Sequence, residues 1–132
     1  MNDSPSHPDS AVSAPEAVVQ RQLNAYNARD LEALLATYAA DAEVFEHPAT
    51  LLAQGSVELR ARYRARFQEP NLHATLLKRA VMGPIVVDHE KVTRTFPEGT
   101  GVIEYVMIYE VRHGRIAKAW SIVGTRILDA KP

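Results

Sequence analysis

The last third of the chain contains two long strand-like runs, residues 102–112 and 115–127, joined by His113-Gly114. A two-residue link with glycine second is the signature of a tight hairpin. Such a turn sets Arg112 opposite Arg115. Counting back, it pairs Ile108 with Ala119, Met107 with Trp120 and Glu104 with Val123. One face then carries Ile103, Tyr105, Met107, Tyr109, Ile116, Trp120 and Ile122. The other carries Glu104, Val106, Ile108, Ala117, Ala119, Ser121 and Val123. Neither is a solvent face, so both need cover. One layer of helices covers one side, and a second copy of the chain is the simplest cover for the other. The expectation is a homodimer through the outer sheet face, with Tyr105, Met107 and Trp120 at the interface. A slip of one residue would exchange the faces.

The upstream chain supplies the helices. Pro15 suits a first helical turn, and Val19, Leu23 and Tyr26 follow at helical spacing. Asp30 is a candidate N-cap for a second helix over 31–40, with Leu31, Leu34, Leu35 and Tyr38 as its stripe. Residues 42–47 alternate like a strand, and 50–54 pair with them. Gly55-Ser56 opens a third helix whose apolar positions, Leu59, Tyr63 and Phe67, fall four apart. Arg60, Arg62, Arg64 and Arg66 take its other faces, and are expected in solvent. Residues 72–83 and 84–96 read as two strands around Gly83-Pro84, and 97–101 as a turn.

With 132 residues and 46% hydrophobic content, the chain suits one domain with a real core. Residues 1–14, rich in Ser, Pro and Asp, read as a disordered arm, and 15–132 as the domain. The formal net charge of −1 gives no electrostatic footprint for nucleic acid. No apolar stretch reaches the roughly 20 residues that a bilayer requires. The N-terminus lacks the basic and apolar regions of a secretory signal, so a cytoplasmic protein is expected. Cysteine is absent, which removes disulfide and thiolate chemistry. There is no glycine-rich phosphate loop and no metal-ligand spacing. Asp88, His89 and Glu90 are adjacent on a strand, so their side chains alternate faces and cannot converge on an ion. Neither a cofactor nor a metal is expected.

The order helix, helix, strand pair, helix, long antiparallel sheet, together with "AYNARDLEALLATYAADAEVFEHP", resembles the nuclear transport factor 2-like superfamily. Its SnoaL-like and steroid-isomerase-like branch is the most similar. The resemblance covers about residues 15–128. It implies an α+β cone in which three N-terminal helices pack in a curved, mainly antiparallel sheet around an apolar pocket. Dimers commonly form through the outer sheet face. It implies a protein that binds a small apolar molecule, with isomerase, dehydratase or cyclase chemistry by acid and base as one reading. A non-catalytic ligand-binding or scaffold protein is the other.

Ketosteroid isomerase, a member of that superfamily, keeps an aspartate base at the end of strand one and an oxyanion hole of a tyrosine and a protonated aspartic acid. In this chain His47 matches the base, Gln22 the tyrosine, and a position near Ile108 the aspartic acid. Both oxyanion donors are altered. Tyr38 and Tyr63 match places where relatives put pocket tyrosines. His47, on the same face as Phe45, is thus a candidate general base, or a strand-end histidine bonded to a neighbour. Glu104 is a candidate acid if it faces the pocket, and structural if it faces an arginine. Gln22 and Tyr26, one turn apart, are either pocket groups or ordinary packing. Tyr38 and Tyr63 are ligand donors or core tyrosines. Phe45, His89 and Ile108 complete the candidate binding residues.

Overall fold

Pro15 opens the first helix, α1 (Pro15–Ala28), and Val18, Val19, Gln22, Leu23, Ala25 and Tyr26 form its buried face. In the computed structural model, which describes residues 14–129, this is the helix that lies deepest against the sheet. The expected arm therefore falls, Ala14 apart, outside the described residues. Arg29 ends α1 in the left-handed conformation. Asp30 then caps α2 (Leu31–Leu35), its carboxylate accepting from the Ala33 N–H at 3.1 Å.

The second helix is half the expected length. Thr37 turns the chain back, its hydroxyl donating to the Leu34 carbonyl at 2.7 Å. Its own carbonyl accepts from the Ile116 N–H rather than from the next helical turn. Tyr38 consequently begins β1 (Tyr38–Glu46) instead of ending a helix. The 3–4 spacing of Leu31, Leu34, Leu35 and Tyr38 was a true signal of burial, because Leu34 and Tyr38 are both buried. It was a false signal of helix length, because pairing with the last strand captured the segment.

β2 (Thr50–Gln54) pairs antiparallel with β1, and α3 (Gly55–Arg66) follows, burying Leu59 and Tyr63. Then come β3 (His73–Met82), β4 (Ile85–Phe96), β5 (Gly99–Arg112) and β6 (Arg115–Leu128). The six strands form one curved sheet in the order β2-β1-β6-β5-β4-β3. Only the β1–β6 pair is parallel among the described residues. The helices pack on one side of this sheet, giving the expected α+β cone. Asn27 ties α1 to the sheet: its side-chain amide bonds both the N–H and the carbonyl of Ala74, at 2.8 and 2.9 Å.

The His113-Gly114 turn does pair Arg112 with Arg115. The register then changes. Val111 faces Ile116 but Glu110 faces Lys118, which leaves Ala117 as an extra residue. This bulge shifts all the pairs beyond it. Met107 lies opposite Ser121, and Ile108 opposite Trp120. Tyr105, Met107 and Tyr109 therefore share the helix side with Ala119, Ser121 and Val123. Trp120 goes to the convex side with Val106, Ile108 and Ile122. The assignment of Tyr105 and Met107 to an outer interface is thus corrected by the bulge.

Candidate functional site

The helices and the concave sheet face enclose a cavity of about 230 Å³. α1 contributes Gln22, Leu23 and Tyr26, and α3 contributes Arg62, Tyr63 and Arg66. The sheet contributes Val44, Glu46, Glu90, Val92, Arg94, Tyr105, Met107, Tyr109, Ser121 and Val123, among others. The walls mix aromatic and aliphatic side chains with charged and polar ones, Gln22, Glu46, Arg62, Arg66, Glu90, Arg94 and Ser121.

Glu90 is the most unusual of these groups. It is 6% exposed, and no hydrogen-bond partner exists for its carboxyl among the described residues. Burial, reinforced by the charge of Asp88 and opposed by Arg79, pushes its pKa from 4.5 up to about 7. Asp88 is two residues away on the same face of β4, and it is treated in the opposite way. It is fully buried but held in a fork by Arg79, at 2.7 and 2.9 Å. Arg79 is held in turn by Gln20 of α1, at 2.8 Å. A carboxyl with a satisfied neighbour and none of its own bonds is set to exchange a proton near neutral pH.

Beside it lies a tyrosine cluster. The Gln22 amide donates to the Tyr38 hydroxyl at 3.3 Å, and the Tyr38 and Tyr63 hydroxyls bond at 3.0 Å. Either hydroxyl can be the donor in that bond, and Tyr63 also lines the cavity. Tyr109 is 2% exposed, and its hydroxyl too has no protein partner among the described residues. Burial raises the pKa of Tyr38 and of Tyr109 well above the usual phenol value. Both therefore stay protonated as donors.

Three of the candidates from sequence, Gln22, Tyr26 and Tyr63, line the cavity, and Tyr38 stands directly behind them. Five do not. Phe45 stacks on Trp120 on the convex side, ring centroids 5.8 Å apart. His47 is exposed, and its backbone N–H donates to the Ser121 carbonyl at 2.8 Å, while its side chain has no hydrogen bond among the described residues. The reason for Phe45 is parity, since Val44 and Glu46 face the cavity; His47 lies past the end of β1, in the turn that follows. Ile108 follows Trp120 outward. Glu104 and His89 bond each other, both side chains about two-fifths exposed and outside the cavity lining.

The residues missed were Glu90, Tyr109, Arg62, Arg66 and Arg94. Glu90 had a signal in the alternation Val86, Asp88, Glu90, Val92, bounded by buried valines. The opposite face of the same strand, with Val87, His89 and Lys91, obscured it. Arg62 and Arg66 had one too, since they flank Leu59, Tyr63 and Phe67 at helical spacing. The expectation that all these arginines are solvated is corrected: Arg66 donates to the Tyr26 hydroxyl at 3.1 Å, inside the cavity wall. No group of three His, Asp or Glu among the described residues is placed to hold a metal. None of the described helices is long and apolar enough to cross a membrane.

A curved sheet wrapped over three helices around one polar-floored cavity defines a cone of the nuclear transport factor 2-like class. Residues 19–119 match the SnoaL-like domain, and the chain belongs to that family. Solved structures agree on the fold. An uncharacterised cystatin-fold protein from Novosphingobium aromaticivorans superposes with a TM-score of 0.77 at 21% identity, over 83% of this chain and 97% of its own. A nuclear transport factor 2-like protein from Burkholderia pseudomallei gives 0.72 at 17%, over 83% and 89%. A protein with a ketosteroid isomerase-like fold from Catenulispora acidiphila, solved with trimethylamine, gives 0.68 at 16%, over 79% and 82%. No curated protein matches the chain by sequence.

Proposed function

We propose that the cavity binds a small, largely apolar molecule bearing a carbonyl or hydroxyl, and that Glu90 carries a proton between two of its atoms. The observation behind this reading is the Glu90 carboxyl itself, buried, without a hydrogen-bond partner among the described residues and lining the cavity. As a carboxylate it takes a proton from the carbon next to a carbonyl. As an acid it returns that proton to another carbon or to a leaving hydroxyl. The Tyr63 and Tyr109 hydroxyls donate to the oxygen on which negative charge develops. Isomerase, dehydratase and cyclase chemistry are all versions of this step. The convex face, where Phe45, Trp120, Ile108 and Ile122 lie together, supports pairing with a second copy of the chain.

The test is hydrogen–deuterium exchange at the acidic carbon of 2-tetralone in heavy water, followed by NMR. Wild type should accelerate it. Glu90→Gln should lower the acceleration by about 10²- to 10⁴-fold while ketone binding survives. Binding without any accelerated exchange would make the protein a carrier. Equal exchange by Glu90→Gln would remove Glu90 from the chemistry.

A further inference from the structure

The polar groups of the cavity are not evenly distributed. Glu90, Tyr63 and Tyr109 are close enough in space for each carboxyl or hydroxyl to perturb a neighbour. The guanidinium groups come from elsewhere: Arg62 and Arg66 one helical turn apart on α3, and Arg94 on β4. Set against these three cations is a single contacting carboxylate, Glu69. It takes a fork from Arg94, with contacts of 3.1 and 2.6 Å, and it also accepts the Thr95 N–H at 3.1 Å. It reaches Arg66 only at 3.9 Å. Arg66 otherwise donates to Tyr26, and Arg62 has no ion-pair or hydrogen-bond partner among the described residues. Glu46 also lines the cavity but lies beyond ion-pair distance of every arginine there. The α3 wall therefore holds excess positive charge beside an apolar space. A guanidinium without an ion-pair partner, as at Arg62, or with only a long one, as at Arg66, favours an anion next to a low-dielectric wall, and its planar fork matches a carboxylate.

The geometry points to a carboxylate-bearing ligand: its anionic group meets Arg62 and Arg66, and its apolar body lies along Leu23, Val92 and Met107. The reacting part then reaches Glu90 and Tyr63. This rests on the cavity being the ligand site, and it adds the class of ligand. Glu69 is the template within the protein, since it already occupies Arg94 as the ligand would occupy its two neighbours.

The experiment compares 2-naphthoate with its neutral counterpart 2-acetylnaphthalene by titration calorimetry, at low and high salt. Wild type should bind naphthoate at least tenfold more tightly, with the preference shrinking as salt rises. Arg62→Gln and Arg66→Gln should each cut naphthoate affinity by about tenfold and leave the ketone within about twofold. Arg62→Lys should recover part of the loss. Arg60→Gln, on the same helix but paired with Glu32 outside the cavity, should change neither. Equal affinity for the two probes, or naphthoate binding indifferent to Arg62→Gln and Arg66→Gln, overturns the inference while the cavity reading stands. If neither probe binds, the cavity reading falls and the inference with it.

Discussion

Asp88 and Glu90 share one face of β4, two residues apart and both buried, yet among the described residues only Asp88 has a hydrogen-bonding partner for its carboxyl. Two neighbouring carboxyl groups in one buried setting thus have different surroundings. Arg79 forks the Asp88 carboxylate, and the charge of Asp88 adds to the burial that resists ionisation of Glu90.

Glu90 should therefore make the protein less stable as pH rises. Its pKa in the folded state is above its unfolded value, so the native state holds the proton more tightly. The stabilisation is complete below about 4.5, where both states are protonated, and is lost as pH rises through about 7. The displacement is worth about 3 kcal/mol across that window. Glu90→Gln cannot ionise and should not show this loss. Urea unfolding of both proteins from acid to mildly alkaline pH checks it. A difference in stability that stays constant with pH would contradict the assignment.

Asp88→Asn should be severe. It takes the forked counter-charge from the Arg79 guanidinium, whose side chain is 9% exposed, and leaves it the more distant Glu16 carboxylate at 4.0 Å. Breaking one partner of a buried pair costs about 3–5 kcal/mol. Arg79→Met with Asp88→Leu, which removes both charges, should recover much of that stability. The measurement is chemical unfolding of the single and double variants. A single variant as stable as wild type would refute the pairing.

His47→Ala should do little. The side chain is exposed and makes no hydrogen bond among the described residues. The change should lie within about 0.5 kcal/mol, and thermal stabilisation by a cavity ligand should persist. Loss of ligand stabilisation in this variant would return His47 to the site.

Much of the architecture was legible from local pattern. Pro15, Asp30 and the His113-Gly114 turn each act on their own backbone, and each marks its boundary in the structure. The stripe Leu59, Tyr63, Phe67 needs only the helical period to declare its buried face. Gln22 and Tyr26, one turn apart on α1, could be read from spacing as pocket groups or as ordinary packing, whereas Tyr63 was implied by the family resemblance; all three line the cavity.

The strands were different. A strand has two faces, and where both are apolar the sequence determines the pairing of runs but not which face meets the helices. That was decided by one extra residue, Ala117, which has no partner on β5 and reverses the parity of the pairs beyond it. On β1 and β4 the choice was equally balanced along the chain, and it was settled by contacts with distant segments. Burial of Glu90 without a partner is a property of that three-dimensional choice. The cavity that Glu90 lines is assembled from α1, α3 and six strands, so no short stretch of sequence contains it.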